Sequence, residues 1–487
     1  MKKIVVFVTS ALMATSLLVG CNSRTEESSI VDIDWKADYK PIETLSKRMP
    51  GEFEAQEGIM MCYKNNMPLS AYKTIAKDNK LLILTNPDEQ NNSRIDEAKQ
   101  AFINEGIDLS NIEFIDIDLD RDIEYWVRDF SPFFVYDENE LSMVNFTYNR
   151  PARVEQNVAP KKLSKVLNMS ISDMDIVHTG GNLMQDGRGT AFSDDLVLKE
   201  NNGNEKKVRE QMKTYTGTDR YVITIDPQGL YIAHIDCWAK IVAPDKIIMA
   251  KVPESNERYK YYEQVYEELS KLDCCYGYPY RIYRIDEPGG ETVAPYTNSL
   301  IANDKVYMPL GEDEEYNKKA IDVYKEALPG YEIIGVEGFP ITNDEYDEDN
   351  LQFWNSDALH CRTHEIPDRN ALFIDSRDVL HGEIKEQDYY LAKANVVSYG
   401  KELIEKVQIH YSINNAPYLV KDMERYLDTG NYVYPFTELK KGDDINYFIT
   451  ASTSNKQTTD PTCGEKDPHH FIIAWVFTQK KSKFSVK

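Results

Sequence analysis

The sequence predicts a layered α/β body followed by a smaller all-β module, and three observations carry that prediction. Short apolar strands alternate with amphipathic helices from about Gly51 onward, the texture of stacked sheet and helix layers. The alternation repeats in five units, each ending on polar, charged or glycine-rich residues. Beyond Pro367 the helical pattern stops and strand-period alternation takes over.

In chain order, the first unit has the apolar Leu81–Leu84, a helical stretch at Arg94–Glu105 and a strand at Ile112–Ile117, with Trp126-Val127-Arg128-Asp129 beyond it. The second pairs Pro132–Tyr136 with Leu141–Phe146 as a hairpin. A helix near Lys161–Leu167 and a strand at Met174–Val177 follow, running into His178-Thr179-Gly180-Gly181-Asn182. The third sets strands at Thr190–Phe192 and Leu196–Leu198, a helix at Glu205–Tyr215 and a strand at Tyr221–Ile225, then His234-Ile235-Asp236. The fourth has Ala239–Ala243 with Lys246–Lys251, the helix Tyr259–Leu272, the strand Tyr280–Ile285 and a loop ending in Asn298. The fifth has Ser299–Ile301 with Lys305–Leu310, the helix Tyr316–Ala327 and the strand Tyr331–Val336, and it leads to Cys361. Periodicity alone fits either a closed circle of units with their motifs at one end, or an open α/β sheet with polar loops.

After Pro367, Val407–Ile413 alternates at strand period, Asn414-Asn415 marks a turn and Tyr418–Val420 returns. Tyr432–Pro435, Ile445–Ala451 and Phe471–Phe477 continue the series, which reads as a small β-sandwich. At the other end, Met1–Cys21 has two lysines, an apolar run and a small residue before a cysteine. The run is too short for a stop-transfer helix and reads as an export signal. Its ending Leu18-Val19-Gly20-Cys21 resembles a bacterial lipobox, which implies acylation at Cys21; an ordinary secretory signal is the alternative. The expected domains are a signal at 1–21, a polar tether at 22–44, the α/β body at 45–372 and an immunoglobulin-like sandwich at 373–487. The expected location is the bacterial cell surface or periplasm, held to a membrane by the lipid, or else the medium.

The net charge of −25 disfavours nucleic acid and acidic lipid surfaces as partners and favours cationic ligands. The seven cysteines are scattered without a CxxC pair, so neither a disulfide framework nor a cysteine metal site is indicated. The acidic run Asn343–Asn350 offers calcium ligands or is a solvated loop. No cofactor and no metal are expected.

The densest chemistry lies in Leu351–Asp368, where Cys361 stands beside His360 with Asp357, Arg362 and His364 near. A cysteine becomes nucleophilic where positive charge or donors favour its thiolate; elsewhere it is an inert small hydrophobe. Asp129 follows an aromatic, His234 and Asp236 share one face of an extended segment, and Gly180-Gly181 permits close backbone approach before Asn182. Such a set suits a planar cation held by two carboxylates, attacked at carbon by a thiolate, with a histidine moving protons. The same residues also allow a structural ion pair at Asp129, a solvated turn at His234 and Asp236, or a zinc site of His178, His234 and Asp236.

The motifs Phe53-Glu54-Ala55-Gln56-Glu57-Gly58, Trp126–Pro132, His178–Asn182, Tyr231–Lys240, Tyr296–Ser299 and Asp357–Thr363 occur in this order over about Gly51 to Asp368. Together they resemble the bacterial peptidylarginine deiminase and agmatine deiminase family of guanidino-group-modifying enzymes. The resemblance implies the pentein fold, a five-bladed α/β propeller. It also implies Cys361 as nucleophile, Asp129 and Asp236 as guanidinium clamps, His234 as general acid and base, and Asn298 as an orienting amide. The reaction implied passes through a covalent thiouronium intermediate to a ureido product and ammonia.

An exported chain with an appended sandwich is most similar to the secreted peptidylarginine enzyme. That resemblance implies arginine in peptides, held by Trp126, Asn182 and Tyr231, with Arg150 and Arg153 for the carboxylate of a C-terminal arginine. The two arginines are spaced more widely than the pair in that subfamily. Agmatine or free arginine is the alternative substrate. A surface module that binds basic peptides without turnover is the alternative of another class.

Overall fold

Each of the five units folds into its own small sheet, and the sequence dictates the internal order of that sheet. The computed structural model describes residues 36, 39–63, 67–87, 92–117, 126–229, 232–288, 295–311, 313–338, 358–427 and 429–474. Within each sheet a strand pairs antiparallel with its neighbour, and that neighbour pairs parallel with the next. A parallel step needs a long crossover, and helices supply it. Val154–Val166 lies between Glu140–Tyr148 and Ile171–His178, and Glu205–Thr216 between Thr190–Asp194 and Arg220–Thr224. Tyr259–Leu269 lies between Lys246–Lys251 and Arg281–Asp286, and Glu314–Ala327 between Lys305–Pro309 and Glu332–Val336. The parallel-paired strand in the middle of a unit is covered on both faces, so it reads as a continuous apolar run. Ile247, Ile248, Met249 and Ala250 in Lys246–Lys251 are all buried.

The fifth sheet joins the two ends of the α/β region. Its order is Thr363–Pro367, Gln56–Cys62, Leu81–Thr85, Ile112–Asp116, and Thr363–Pro367 runs antiparallel to Gln56–Cys62 with His364 opposite Met60. The strand that follows Cys361 is thereby anchored on Gln56–Cys62, near the start of the region. Every sheet among the described residues is open.

Two elements differ from the sequence-based expectation. Leu196–Leu198 is not a strand but part of the helix Leu196–Glu200, because Asp194 Oδ1 accepts from Leu196 N at 3.0 Å and starts a turn. The helix expected near Lys161 begins earlier and runs Val154–Val166 through Pro160. Ala159, Pro160 and Leu163 are buried together on one face, and that packing outweighs the backbone bond the proline cannot make.

Beyond Pro367 two further sheets share one core. The first orders Leu372–Asp375, Tyr390–Ser398, Asn431–Phe436 and Glu424–Tyr426. The second contains Gly382–Ile384, His469–Ile473, Asp444–Ser452, Lys406–Ile413, Leu419–Asp422 and Gln457–Asp460. Ile374, Ala392 and Ala394 of the first pack with Ile409, Ile445 and Phe471 of the second.

Ion pairs, one of them buried on both sides, tie these β-sheets to the α/β region. Asp460, wholly buried, accepts from Arg188 Nη2 at 2.7 Å, Tyr276 Oη at 2.8 Å and Ser376 Oγ, and faces His469 Nε2 at 3.1 Å. Asp467 accepts two bonds from Arg281, at 2.9 and 2.7 Å, and pairs with Lys246 at 2.6 Å. Burial opposes the charge on Asp460, yet Arg188, His469 and Ser376 hold its pKa down to about 2.

A depressed carboxyl pKa stabilises the fold above the unfolded value of about 3.9, and that contribution disappears as pH falls through the folded value near 2. Asp460→Asn leaves Arg188 without its counter-charge and should cost roughly 3–5 kcal/mol. Urea unfolding at neutral pH checks the loss. The difference from wild type should shrink in titrations carried from pH 4 towards pH 2.

Candidate active site

The turn that carries Cys361 is held from two other units. Arg128 N donates to Cys361 O at 3.2 Å, and His360 N donates to Asn298 O at 3.0 Å. The Asn298 side chain then fixes the sulfur. Its Oδ1 accepts from Ala358 N at 3.0 Å and Cys361 N at 3.2 Å, while Nδ2 donates to Cys361 Sγ at 3.2 Å. An amide that uses both ends on one turn sets the position of the sulfur and offers its thiolate a donor. Cys361 and Asn298 are both fully buried.

Asp236 lies in the short turn Ile235–Cys237, two residues before the strand Ala239–Ala243. Its Oδ2 is 3.5 Å from Cys361 Sγ and 2.7 Å from His360 Nδ1. Burial works against its charge, but the hydrogen bond and charge of His360, with His234 and Arg128 beyond, hold the carboxyl below its ordinary range. A carboxylate kept ionised beside a thiol is what a cation clamp requires.

Asp129 occupies the one-turn helix Val127–Phe130, and its Oδ1 accepts from Gly181 N at 3.2 Å. His234 Nδ1 is 3.7 Å from the same oxygen. Gly181 is needed for this approach, since a Cβ there would stand 2.5 Å from His234 Nδ1 and 2.8 Å from Asp129 Oδ1. The His234 ring is buried, and neither nitrogen has a hydrogen-bond partner among the described residues. Buried polar groups are normally paired. A ring left in this state between two acids is suited to exchanging protons with a bound ligand.

The substrate-binding candidates divide. The Asn182 side chain is spent on the Asp194 backbone, accepting from its N at 2.9 Å and donating to its O at 3.4 Å, so it braces the turn beside Gly181. Trp126 directly precedes the Asp129 helix, and the Arg153 guanidinium lies 4.8 Å from its ring centre while donating to Tyr148 Oη at 3.1 Å. Burial pushes the Tyr148 phenol up, and the Asp129 charge pushes it further. Arg150 donates to Asn149 O at 3.4 Å, and its charge acts on Glu200, whose carboxyl burial raises. Tyr231, Asp357, Asn343–Asn350 and Cys21 lie outside the described residues.

The geometry also fixes the surroundings of two further histidines. His178 accepts from Thr179 N at 2.8 Å through Nδ1 and meets Tyr221 Oη at 2.9 Å through Nε2, leaving no lone pair for a zinc ion shared with His234 and Asp236. Burial drives its pKa down to about 4. His364 is not a source of positive charge for the thiol, because burial and then Arg128 push its pKa well below the ordinary value.

Behind the site runs a buried ionic network whose two acids, Glu52 and Glu365, lie outside the motifs of the sequence. Glu52 Oε1 is 2.8 Å from His360 Nε2, and its Oε2 accepts from Lys240 Nζ at 2.5 Å. Arg128 pairs with Glu365 and lies 3.5 Å from Glu52. Glu52, His360 and Glu365 are near enough to share a metal, but Lys240 and Arg128 already neutralise the two carboxylates, so a further cation does not fit. Glu52 escapes sequence reasoning because it stands 308 residues from the histidine it pairs with. Its one local signal is its place beside the Phe53–Gly58 motif.

Asn298→Ala orphans two buried backbone donors, at about 1–3 kcal/mol each, and removes the donor to sulfur. Thermal unfolding should show the destabilisation, and iodoacetamide labelling of Cys361 should slow at neutral pH.

Residues 48–367 match the profile of the Porphyromonas-type peptidyl-arginine deiminase family. An agmatine deiminase of Medicago truncatula is 23% identical over 265 residues, 44% of this chain and 70% of that protein. The structure of the agmatine deiminase of Enterococcus faecalis superposes with a TM-score of 0.55 at 19% identity, covering 68% of this chain and all of that one. The agmatine deiminase of C. jejuni gives 0.52 at 21% identity, covering 66% and 96%. These superpositions establish a shared pentein-type fold.

Proposed function

The chain belongs to the Porphyromonas-type peptidyl-arginine deiminase family, guanidino-modifying hydrolases of C–N bonds, and we propose that it deiminates a terminal guanidinium through Cys361. The observation that carries the proposal is the buried His234, with no partner on either nitrogen among the described residues, between Asp129 and an ionised Asp236 that lies 3.5 Å from Cys361 Sγ.

The guanidinium enters between Asp129 and Asp236, which hold its N–H groups by charge-assisted bonds. The Cys361 thiolate, steadied by Asn298, attacks the guanidinium carbon. His234 protonates the departing ammonia, leaving a thiouronium on sulfur, and then takes a proton from the attacking water as the C–S bond breaks. The products are ammonia and a ureido compound.

Two substrate readings have support. The named relatives are agmatine deiminases, which backs agmatine or another small guanidine such as free arginine. Arg153 over Trp126, next to the Asp129 helix, backs an arginine whose carboxylate needs a cation, as at the C-terminus of a peptide. The small guanidine leads because the curated relative and the two solved structures named above are agmatine deiminases. The reading without turnover rests on the complete burial of Cys361.

We further propose that the five sheets are blades of a closed propeller, supported by the pairing of Thr363–Pro367 with Gln56–Cys62. The sheets beyond Pro367 are read as an immunoglobulin-like sandwich. Export with lipid at Cys21 is supported by the Met1–Cys21 sequence alone, and the mass of the mature N-terminal peptide tests it.

Cys361→Ala should reduce ureido-product formation to background while the unfolding curve stays as in wild type; retained turnover sinks the reaction. Gly181→Ala should cost several orders of magnitude in kcat by parting His234 from Asp129. The kcat/KM values for agmatine, free arginine and a peptide with C-terminal arginine, free or amidated, decide the substrate. A carboxylate clamp would favour the free peptide over its amide by about ten- to a hundred-fold, and Arg153→Ala would erase that margin.

A further inference from the structure

His360 occupies a place that the reaction above does not use. Its ring is fully buried, with Nδ1 2.7 Å from Asp236 Oδ2 and Nε2 2.8 Å from Glu52 Oε1. A ring that donates to a carboxylate at both nitrogens carries both protons. Other charged or titratable groups face this ring or its partners. Lys240 and Arg128 act on Glu52, Glu365 and His364 lie across the network, and His234 and Cys361 lie beyond Asp236.

We infer that Glu52 and His360 are positioning residues for the deimination proposed above: Glu52 keeps the His360 imidazole doubly protonated, and His360 in turn keeps Asp236 ionised and turned towards the substrate beside the thiol. The inference rests on that reading of the reaction. The direction of charge along the chain supports it. Burial alone would neutralise Glu52, yet the charges of His360, Lys240 and Arg128 hold its carboxyl well below the ordinary value. At the other end the His360 hydrogen bond and charge do the same for Asp236 against equal burial. A positive ring held between two carboxylates, one of them 3.5 Å from Cys361 Sγ, also offsets the charge that Asp236 would otherwise press on the thiolate.

Without the imidazolium, Asp236 takes up a proton at higher pH and can no longer clamp a cation, so the acid limb of kcat/KM moves upward. The loss of an opposite charge at this distance corresponds to roughly 1–3 pH units. The thiol loses the same positive charge, so the pH midpoint for alkylation of Cys361 also moves upward. A merely structural histidine would lower activity at every pH and move neither midpoint.

The test compares wild type with His360→Gln, Glu52→Asp and the double variant Glu52→Gln, Lys240→Met. The double variant removes a buried acid and its buried base together and so avoids stranding Lys240. Far-UV circular dichroism and unfolding curves identify the variants that fold. Among these, His360→Gln and the double variant should raise both the acid limb and the alkylation midpoint, and Glu52→Asp, which keeps the charge, should return both towards wild type. Unchanged midpoints in a folded His360→Gln or double variant would overturn the inference. Absence of ureido product from wild type on every guanidine tried would overturn the deimination reading instead. The iodoacetamide profile needs no substrate and would still decide the role of His360 and Glu52.

Discussion

Asp236 has to remain charged where water cannot reach it. An isolated carboxylate in such a place becomes protonated, because burial disfavours the ion by more than most single contacts return. Here the ion persists because a histidine lies against one of its oxygens and a second carboxylate lies against the far side of that histidine. Glu52 in turn survives burial through Lys240 and Arg128. The alternating signs leave no member without an opposite neighbour, which is the condition under which buried charges hold together. The groups to which the proposed reaction assigns chemistry stand at one end of this chain of charges.

The fold supplies that alignment from segments far apart in sequence. Arg128 and Asp129 come from the helix before the first sheet's inner hairpin, Asp236 and Lys240 stand on either side of the start of the third sheet, and Asn298 immediately precedes the fourth. Cys361 precedes the strand that completes the fifth sheet by pairing with Gln56–Cys62, and Glu52 precedes that partner strand. The antiparallel contact therefore places His360 and Glu52 together as well as joining the two ends of the α/β region. A shift in its register would separate the sulfur from its amide and the histidine from its acid at once.

Much of this was legible in the sequence for a physical reason. Fully buried strands such as Lys246–Lys251 show as apolar runs, and the polar residues where runs end mark the unit boundaries at which the site assembles. Leu196–Leu198 misled because a Leu-Val-Leu triplet satisfies strand propensity, whereas a single bond from Leu196 N to Asp194 Oδ1 decides for helix. Pro160 misled because a proline marks a helix boundary only where packing does not override it. The Glu52–His360 pair was invisible in principle, since no periodicity links residues of different units. Cys361 and His234 were conspicuous as residue types. The feature that distinguishes them, a sulfur bonded to an amide and a ring with no hydrogen-bond partner among the described residues, exists only after folding.

The outer end of the site poses a different electrostatic problem from its base. The chain as a whole is strongly acidic, which draws guanidinium compounds of every kind and selects among none of them. Selection requires charges placed beside the ligand's far end. The Arg150 charge acts on Glu200, whose carboxyl burial raises. Arg153 leans on the Trp126 face and on a phenol, partners that orient a guanidinium without neutralising it. A cation held in that way is unfavourable beside the distal ammonium of agmatine and favourable beside a carboxylate. Under the proposed deimination, a cation so held discriminates between these two ligands only where it reaches the ligand's far end.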